Sequence, residues 1–392
     1  MFRKFLCYGG FSLLTTLFGV LSLPVLISFL EPSEYGVLGL TLTVLSLLVP
    51  FNTFSNEHNV QSLKLKLSTI DYNHYWAGIC TFSIIVCFGG LLVTGLVVYF
   101  FDFHFSFLLI PLLSFLRSLR LLKQAEFAVS EQDFLYGLSS LLISVFAFIV
   151  TFLVFYFYES SATLRVAGLL FAEIIVVLYI AKVRFSFEID KKTLKNIVLF
   201  GLPLVLSSLP YWLISESSRF FLLKYSTLER VGLYTLAFQI SVIYLQFNTV
   251  LANTYVKKVF ENINVSFEPL FILKITFIQV ICAVGFVLLI NILGIYFLPE
   301  SYIAALPITN LLIAGVLFQS FGMLPTFYLG FHRKNKYRLF SFSGAAVIAV
   351  ALNFSLIPLY GVKGAAIAFI VAMFSYATFI TWFVYRLISR DK

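Results

Sequence analysis

The residues best equipped for chemistry are charged groups set inside long apolar runs. Arg219 follows Glu216 by one helical turn and shares a face with Ser208, Trp212 and Ser215. A guanidinium with open donors grips phosphate-type oxygens bidentately. The alternative is an intrahelical pair with Glu216, the long side chain reaching to an interface, and both readings stand. Arg117 and Arg120 share a face near the inner end of their run. They are either phosphate ligands or ordinary basic anchors at a membrane edge. Glu173 lies deep in another run, where a carboxyl is a candidate ion-coupling group that takes up and releases a proton. Pairing with a buried base such as Arg165 or Arg219 is the alternative.

Neutral polar residues form a second pattern. Aligning Gly36 with Gly232 sets the stripe Thr43, Ser46, Pro50, Thr53 and Glu57 against Thr235, Gln239, Gln246, Thr249 and Asn253, each at the spacing of one helical face. Such groups either hold helices together or line a wet wall. A solute rich in hydroxyls needs the second, because each hydroxyl left unpaired in hydrocarbon costs several kcal/mol. His58, His74, His104 and His332 are scattered, and Cys7, Cys80, Cys87 and Cys282 sit in apolar runs without a CxxC spacing. No metal, disulfide, nucleotide-driven step or cofactor is expected from them.

The elements that must position these residues are membrane-spanning helices. The chain has 392 residues, 60% hydrophobic and 11% charged, with a mean hydropathy of +0.99; a soluble domain carries roughly 25% charged residues. Lipid is therefore the solvent for most of its surface, and the net charge of +9 reads as a cytoplasmic excess of basic residues, with no call for nucleic acid. A span needs ~20 apolar residues. On that rule the spans are 5–30, 35–55, 75–101, 105–123, 134–157, 163–181, 196–218, 231–255, 270–298, 302–331, 339–360 and 362–386. Continuous apolar runs exclude an alternating β-barrel. Met1-Phe2-Arg3-Lys4 resembles the basic start of a leader, but the apolar run continues to Leu30 without an A-x-A-like site and reads as span one.

Of the 27 lysines and arginines, only Arg165, Arg219, Lys224, Arg230 and Lys363 fall on one side of this arrangement, so both termini are expected in the cytoplasm. The halves echo each other. Gly36-Val37-Leu38-Gly39-Leu40 follows an acidic turn as Gly232-Leu233-Tyr234-Thr235-Leu236 follows Glu229-Arg230, and Arg165-Val166-Ala167-Gly168 matches Gly361-Val362-Lys363-Gly364 more weakly. A repeat favours two six-helix lobes, 1–190 and 191–392, broken in the basic loop 182–195, with a substrate site between the repeats as in many transporters. Pro24, Pro203, Pro210 and Pro325 mark hinges or static kinks.

Four segments in order carry a family likeness. They are Leu23-Pro24-Val25 to Glu34-Tyr35-Gly36-Val37, Gly201-Leu202-Pro203 to Ser217-Ser218-Arg219-Phe220, Glu229-Arg230-Val231-Gly232-Leu233-Tyr234, and Asn353 to Gly364-Ala365-Ala366. Together they resemble the polysaccharide-export (Wzx-type O-unit flippase) family over nearly the whole chain. The resemblance implies an all-α polytopic membrane protein with the multidrug/oligosaccharidyl-lipid/polysaccharide exporter fold (MATE-like), its two lobes around a cationic cavity. It implies movement of an undecaprenyl-pyrophosphate-linked oligosaccharide across the bacterial inner membrane, with membrane lipid and polysaccharide polymerase machinery as contacts; with no nucleotide site in the sequence, transport is expected to be driven by an ion gradient, H+ or Na+, or by the substrate gradient itself. Many relatives carry Asp directly before the span-seven Arg, where this chain has Ser218, and Glu216 is the substitute at hand. The substrate-binding candidates are then Arg219, Arg117, Arg120, Gln239, Gln246, Asn253 and Thr43, with Glu173 for ion coupling. A drug or metabolite antiporter of the same fold is the alternative, although a cationic cargo calls for buried acids, which are few. A membrane polymerase or ligase usually needs a large external loop, and the longest outer connection, 217–230, is too short for one.

Overall fold

The computed structural model describes residues 2–101, 103–180, 190–261 and 269–389. Asp102, Lys182, Arg184, Arg390 and Lys392 lie outside the described residues, as does most of the basic loop 182–195. Regular structure among the described residues is helical throughout. The order is α1 (Phe2–Phe29), α2 (Pro32–Thr53), α3 (Glu57–Lys66), α4 (Thr69–Phe101), α5 (Ile110–Val129), α6 (Asp133–Phe157), α7 (Ala162–Ile180), α8 (Lys191–Tyr225), α9 (Leu228–Glu261), α10 (Pro269–Phe297), α11 (Ala305–Phe321), α12 (Met323–Phe331), α13 (Asn335–Tyr360) and α14 (Val362–Ile388). Short 3-10 turns at Phe105–Leu109 and Glu300–Tyr302 lead into α5 and α11.

Twelve segments of these helices are long and apolar enough to cross a membrane. In hydrocarbon the backbone must satisfy its own hydrogen bonds, so an apolar run of this length is driven into an unbroken helix. α3 is the short polar exception, and α11 and α12 together make one span, residues 300–331. That span breaks at Gly322, whose N–H bonds Gln319 O at 3.1 Å in a 3-10 turn. Pro325, just past the break, supplies no N–H and crowds the carbonyl one turn back. Pro24 and Pro50 stay inside α1 and α2, and Pro203 and Pro210 inside α8.

Two expectations are corrected here. Span two ends at Thr53, where Phe54 and Ser55 turn through positive φ of 48° and 50°. Glu57 therefore opens α3 and is not part of the span-two stripe; it accepts a bond from Thr53 Oγ1 at 3.1 Å. The fourth span runs to Val129 and not to residue 123, because Lys123 and Glu126 pair on the helix at 2.6 Å and Lys64 of α3 joins Glu126 at 3.0 Å. Arg117 and Arg120 consequently lie in the middle of α5, not near its end.

The chain forms two compact units, one of residues 1–30 and 37–208, the other of 31–36 and 209–392. The first turn of α2 thus packs with the second unit, and α8 divides between Ser208 and Leu209. In the first unit α1 packs on α6, and α7 on both α5 and α6; in the second, α14 likewise packs on both α11 and α13. One apolar core of the first unit gathers Val60, Tyr72, Trp76, Ile79, Leu122 and Ile197.

Within the second unit the start of α2 meets the start of α9 at glycine. A Cβ on Gly36 would lie 2.1 Å from the Leu228 carbonyl oxygen, and one on Gly232 would lie 1.8 Å from that of Pro32. Only hydrogen fits at either place, which gives a packing reason for the glycines that align the two halves of the sequence. Outward faces are apolar, as with Phe88 and Leu92 on α4 and Phe277 and Leu288 on α10. Exposed aromatics gather at helix ends, Tyr99 and Phe100 on α4, Tyr156 and Phe157 on α6, Tyr296 and Phe297 on α10, as membrane interfaces favour.

Candidate functional site

Among the described residues, each unit buries a cluster of charge. In the second unit Arg219 sits on α8 and is only 4% exposed. It pairs with Glu216 one turn earlier, and its Nε donates to Thr235 Oγ1 of α9 at 3.2 Å. The guanidinium also lies 5.1 Å from the Phe238 ring centre and 6.0 Å from that of Tyr234, where the ring quadrupoles favour a cation. The side chain does not snorkel; it is held inside the unit. Ser218 donates to Asn353 Oδ1 at 3.2 Å, and Asn353 Nδ2 donates to Ser217 Oγ at 3.2 Å. Glu216 is thus the carboxylate on Arg219, while Ser218 spends its hydroxyl on α13. Ser215 is buried with Arg219, whereas Ser208 is exposed, bonds back to Val205 O at 2.8 Å and falls in the first unit.

In the first unit α5 carries Arg117 and Arg120 one turn apart, and both reach Glu173 of α7. Arg120 makes a bidentate pair, Nε to Oε2 at 2.8 Å and Nη2 to Oε1 at 3.1 Å, and its Nη1 reaches Gln124 Oε1 at 3.3 Å. Gln124 Nε2 is fastened to Ser139 and Ser140 of α6 at 2.8 and 2.9 Å. Arg117 joins through Nε alone, at 3.4 Å. The expected partners of Glu173, Arg165 and Arg219, are therefore corrected to Arg117 and Arg120. Arg165 instead donates to the Ala147 carbonyl at 2.9 Å and to Thr151. The reason is helical register: Glu173 sits two turns further along α7 than Arg165, opposite the middle of α5.

The polar stripes separate by burial. Thr43 is fully buried, Thr235 is committed to Arg219, and Gln239 is half-buried with Tyr35 Oη donating to its Oε1 at 2.5 Å. Gln246, Thr249 and Asn253 are exposed along α9. Burial at Thr43 suits helix packing; exposure at Gln246 and Asn253 suits a wet wall.

Several polar residues central to the packing carry no charge and were missed by the sequence reading. Asn56 Nδ2 donates to Thr53 O at 2.8 Å and to Ile197 O at 3.1 Å, and its Oδ1 accepts from Tyr75 Oη at 2.7 Å. Asn52 donates to Ser114 at 2.7 Å. The usable signal was an asparagine at the end of an apolar run, where an amide needs partners from neighbouring helices.

A family model described as polysaccharide biosynthesis protein matches residues 25–256. The chain belongs to this family. No curated protein sequence matches it. Among solved structures, the family member resembles an inward-facing multidrug resistance MATE transporter of the MOP superfamily, at TM-score 0.72 and 15% identity, over 96% of this chain and 95% of that one. It resembles the lipid II flippase MurJ in an inward closed conformation at TM-score 0.76 and 13% identity, over 95% and 87%. A MOP superfamily transporter from Pyrococcus furiosus, described as having a binding pocket of reversed polarity, follows at TM-score 0.57 and 13% identity, over 97% and 94%. At these identities the likeness fixes the fold, the MATE-like helical bundle expected from the sequence.

Proposed function

We propose that this chain is a flippase that carries undecaprenyl-pyrophosphate-linked oligosaccharide units across the bacterial inner membrane by alternating access. The observation that carries the reading is the polysaccharide biosynthesis match over residues 25–256 on a chain whose fold is shared with a lipid II flippase. The buried charges agree in sign with an anionic cargo: each unit holds arginine inside its helices, at Arg117 and Arg120 and at Arg219. In this scheme the six-helix lobes are 1–190 and 191–392 and both termini are cytoplasmic. Gln239, Gln246 and Asn253 serve sugar hydroxyls, Arg219 serves the pyrophosphate once Glu216 yields, and Thr43 packs. The driving force is an H+ or Na+ gradient, with Glu173 the coupling carboxylate once Arg117 and Arg120 release it, or the substrate gradient itself. Polysaccharide polymerase machinery takes the product on the far side.

The test is reconstitution. Proteoliposomes holding the full chain and a fluorescent polyprenyl-pyrophosphate oligosaccharide should expose the label to a membrane-impermeant quencher faster than protein-free liposomes. An equal rate, with the same vesicles extruding a cationic dye along a proton gradient, would replace this reading with the antiporter one favoured by the MATE likeness.

A further inference from the structure

Three spans of the second unit end together at one face: α12 closes at Phe331, α13 opens at Asn335 and α14 closes at Ile388. Tyr337 of α13 packs on Phe383 of α14 at 5.0 Å between ring centres, and Trp382 lies 4.9 Å from Phe383. Around this aromatic group stand Arg333, Lys334, Lys336, Arg338 and Arg386, all exposed except the half-buried Lys334. No acidic residue occurs between 301 and 390, and among the described residues none of the five side chains makes an ion pair or a hydrogen bond. Three rest near ring faces instead: Lys336 Nζ is 5.3 Å from the Tyr337 centre, and the guanidiniums of Arg338 and Arg386 are 5.7 and 5.4 Å from those of Phe342 and Trp382. The first unit differs. There Lys64 and Lys123 share the Glu126 carboxylate at 3.0 and 2.6 Å.

The backbone adds a second sign. The short turn from α12 to α13 closes with Lys334 N–H on Leu329 O at 2.8 Å and with Arg333 at a φ of 55°. That left-handed conformation favours glycine or asparagine, yet it carries an arginine here. Like charges crowded on one face repel one another, so a counter-charge must come from outside the unit. Exposed Phe331, Leu339 and Phe340 flank the cations, which sets basic groups beside apolar surface where spans leave the hydrocarbon. Clusters of lysine and arginine at such ends attract anionic lipid, each charge near the surface raising affinity roughly fivefold.

We propose that the α12–α13 turn and the end of α14 form a binding site for an anionic phospholipid, whose phosphate the basic side chains hold while Phe331, Leu339 and Phe340 meet its acyl chains. The ligand is a resident bilayer lipid of the phosphatidylglycerol type, bound at the membrane face and not carried across. The site stands whether or not the chain flips an oligosaccharide.

Native mass spectrometry of the full chain, titrated in detergent with phosphatidylglycerol and with phosphatidylcholine of the same acyl chains, tests it. Wild type should bind phosphatidylglycerol at least tenfold more tightly. The fourfold variant Arg333→Gln, Lys334→Gln, Lys336→Gln and Arg338→Gln should lose most of that preference. A control, Lys191→Gln with Lys192→Gln and Lys195→Gln, removes exposed cations at the start of α8 in the first unit and should keep it. Arg333→Gly, which suits the left-handed turn, should melt no lower than wild type yet bind phosphatidylglycerol roughly fivefold more weakly. Equal wild-type affinity for the two lipids, or an intact preference in the fourfold variant, would overturn the proposal. An equal loss in the control would do so too, because the preference would then follow net charge alone. If the fourfold variant does not fold, Arg333→Gly decides: wild-type affinity for phosphatidylglycerol in that variant overturns the site.

Discussion

Removing Glu173 should destabilise the first unit more than any other single carboxylate change. Its oxygens accept bonds of 2.8, 3.1 and 3.4 Å from two arginines and are 1% exposed. Glu173→Ala leaves two like charges one turn apart inside a helical unit with no counter-ion. Breaking a buried pair by taking one partner costs about 3 to 5 kcal/mol. At roughly 2 to 4 °C per kcal/mol for a unit of this size, the melting midpoint should drop by about 10 °C. Trp76 lies in the same unit's core, so native tryptophan fluorescence in detergent reports the transition directly. Replacing the whole cluster, Glu173→Met with Arg117→Met and Arg120→Met, should recover most of the loss, because a buried charge cluster of this kind exchanges for apolar packing at little cost. A midpoint for Glu173→Ala within about 1 °C of wild type would refute the reasoning. It would mean that water reaches the cluster and the pair is worth only the ~0–1 kcal/mol of an exposed ion pair.

Three further outcomes follow from the geometry. Gly232→Ala puts a methyl 1.8 Å from a backbone oxygen, and since backbone gives way less readily than a side chain, it should cost at least ~1 to 3 kcal/mol, read as lower yield and midpoint; Gly285→Ala, which meets nothing within 4 Å, is the neutral control. Single cysteines at Gln246 and Asn253, both exposed, should react with a small water-soluble thiol reagent in native membranes, whereas one at Thr43, 0% exposed, should not; equal protection of all three would assign the stripe to lipid or packing. Glu216→Gln should lower activity by stranding Arg219, and Glu216→Gln with Arg219→Gln should restore it if the pair is structural; continued loss in the double variant, at normal protein level, assigns Arg219 to the substrate.

What the sequence made legible is what one helix at a time determines. Spans follow from the length of apolar runs, and the twelve expected agree with the helices found, because lipid leaves the backbone no other solution. Helical faces are equally local: Arg117 with Arg120, and Arg219 with Glu216, follow from spacing alone. Partners across helices are not local. Glu173 meets Arg120 across 53 positions of sequence, and periodicity names the face of α7 that carries Glu173 without naming the helix opposite. The choice of Arg165 or Arg219 failed on that point: a span supplies a depth and an angle for each charge, while its neighbour is set by how spans pack. Burial fails for the same reason. Thr43 and Gln246 belong to stripes with one spacing, yet one is closed in by adjoining helices and the other lies open. The glycines point the other way. Gly36 and Gly232 were visible as an internal likeness because backbone contact tolerates no side chain, so a packing constraint between helices was written into residue type, where an ion pair leaves only a charge.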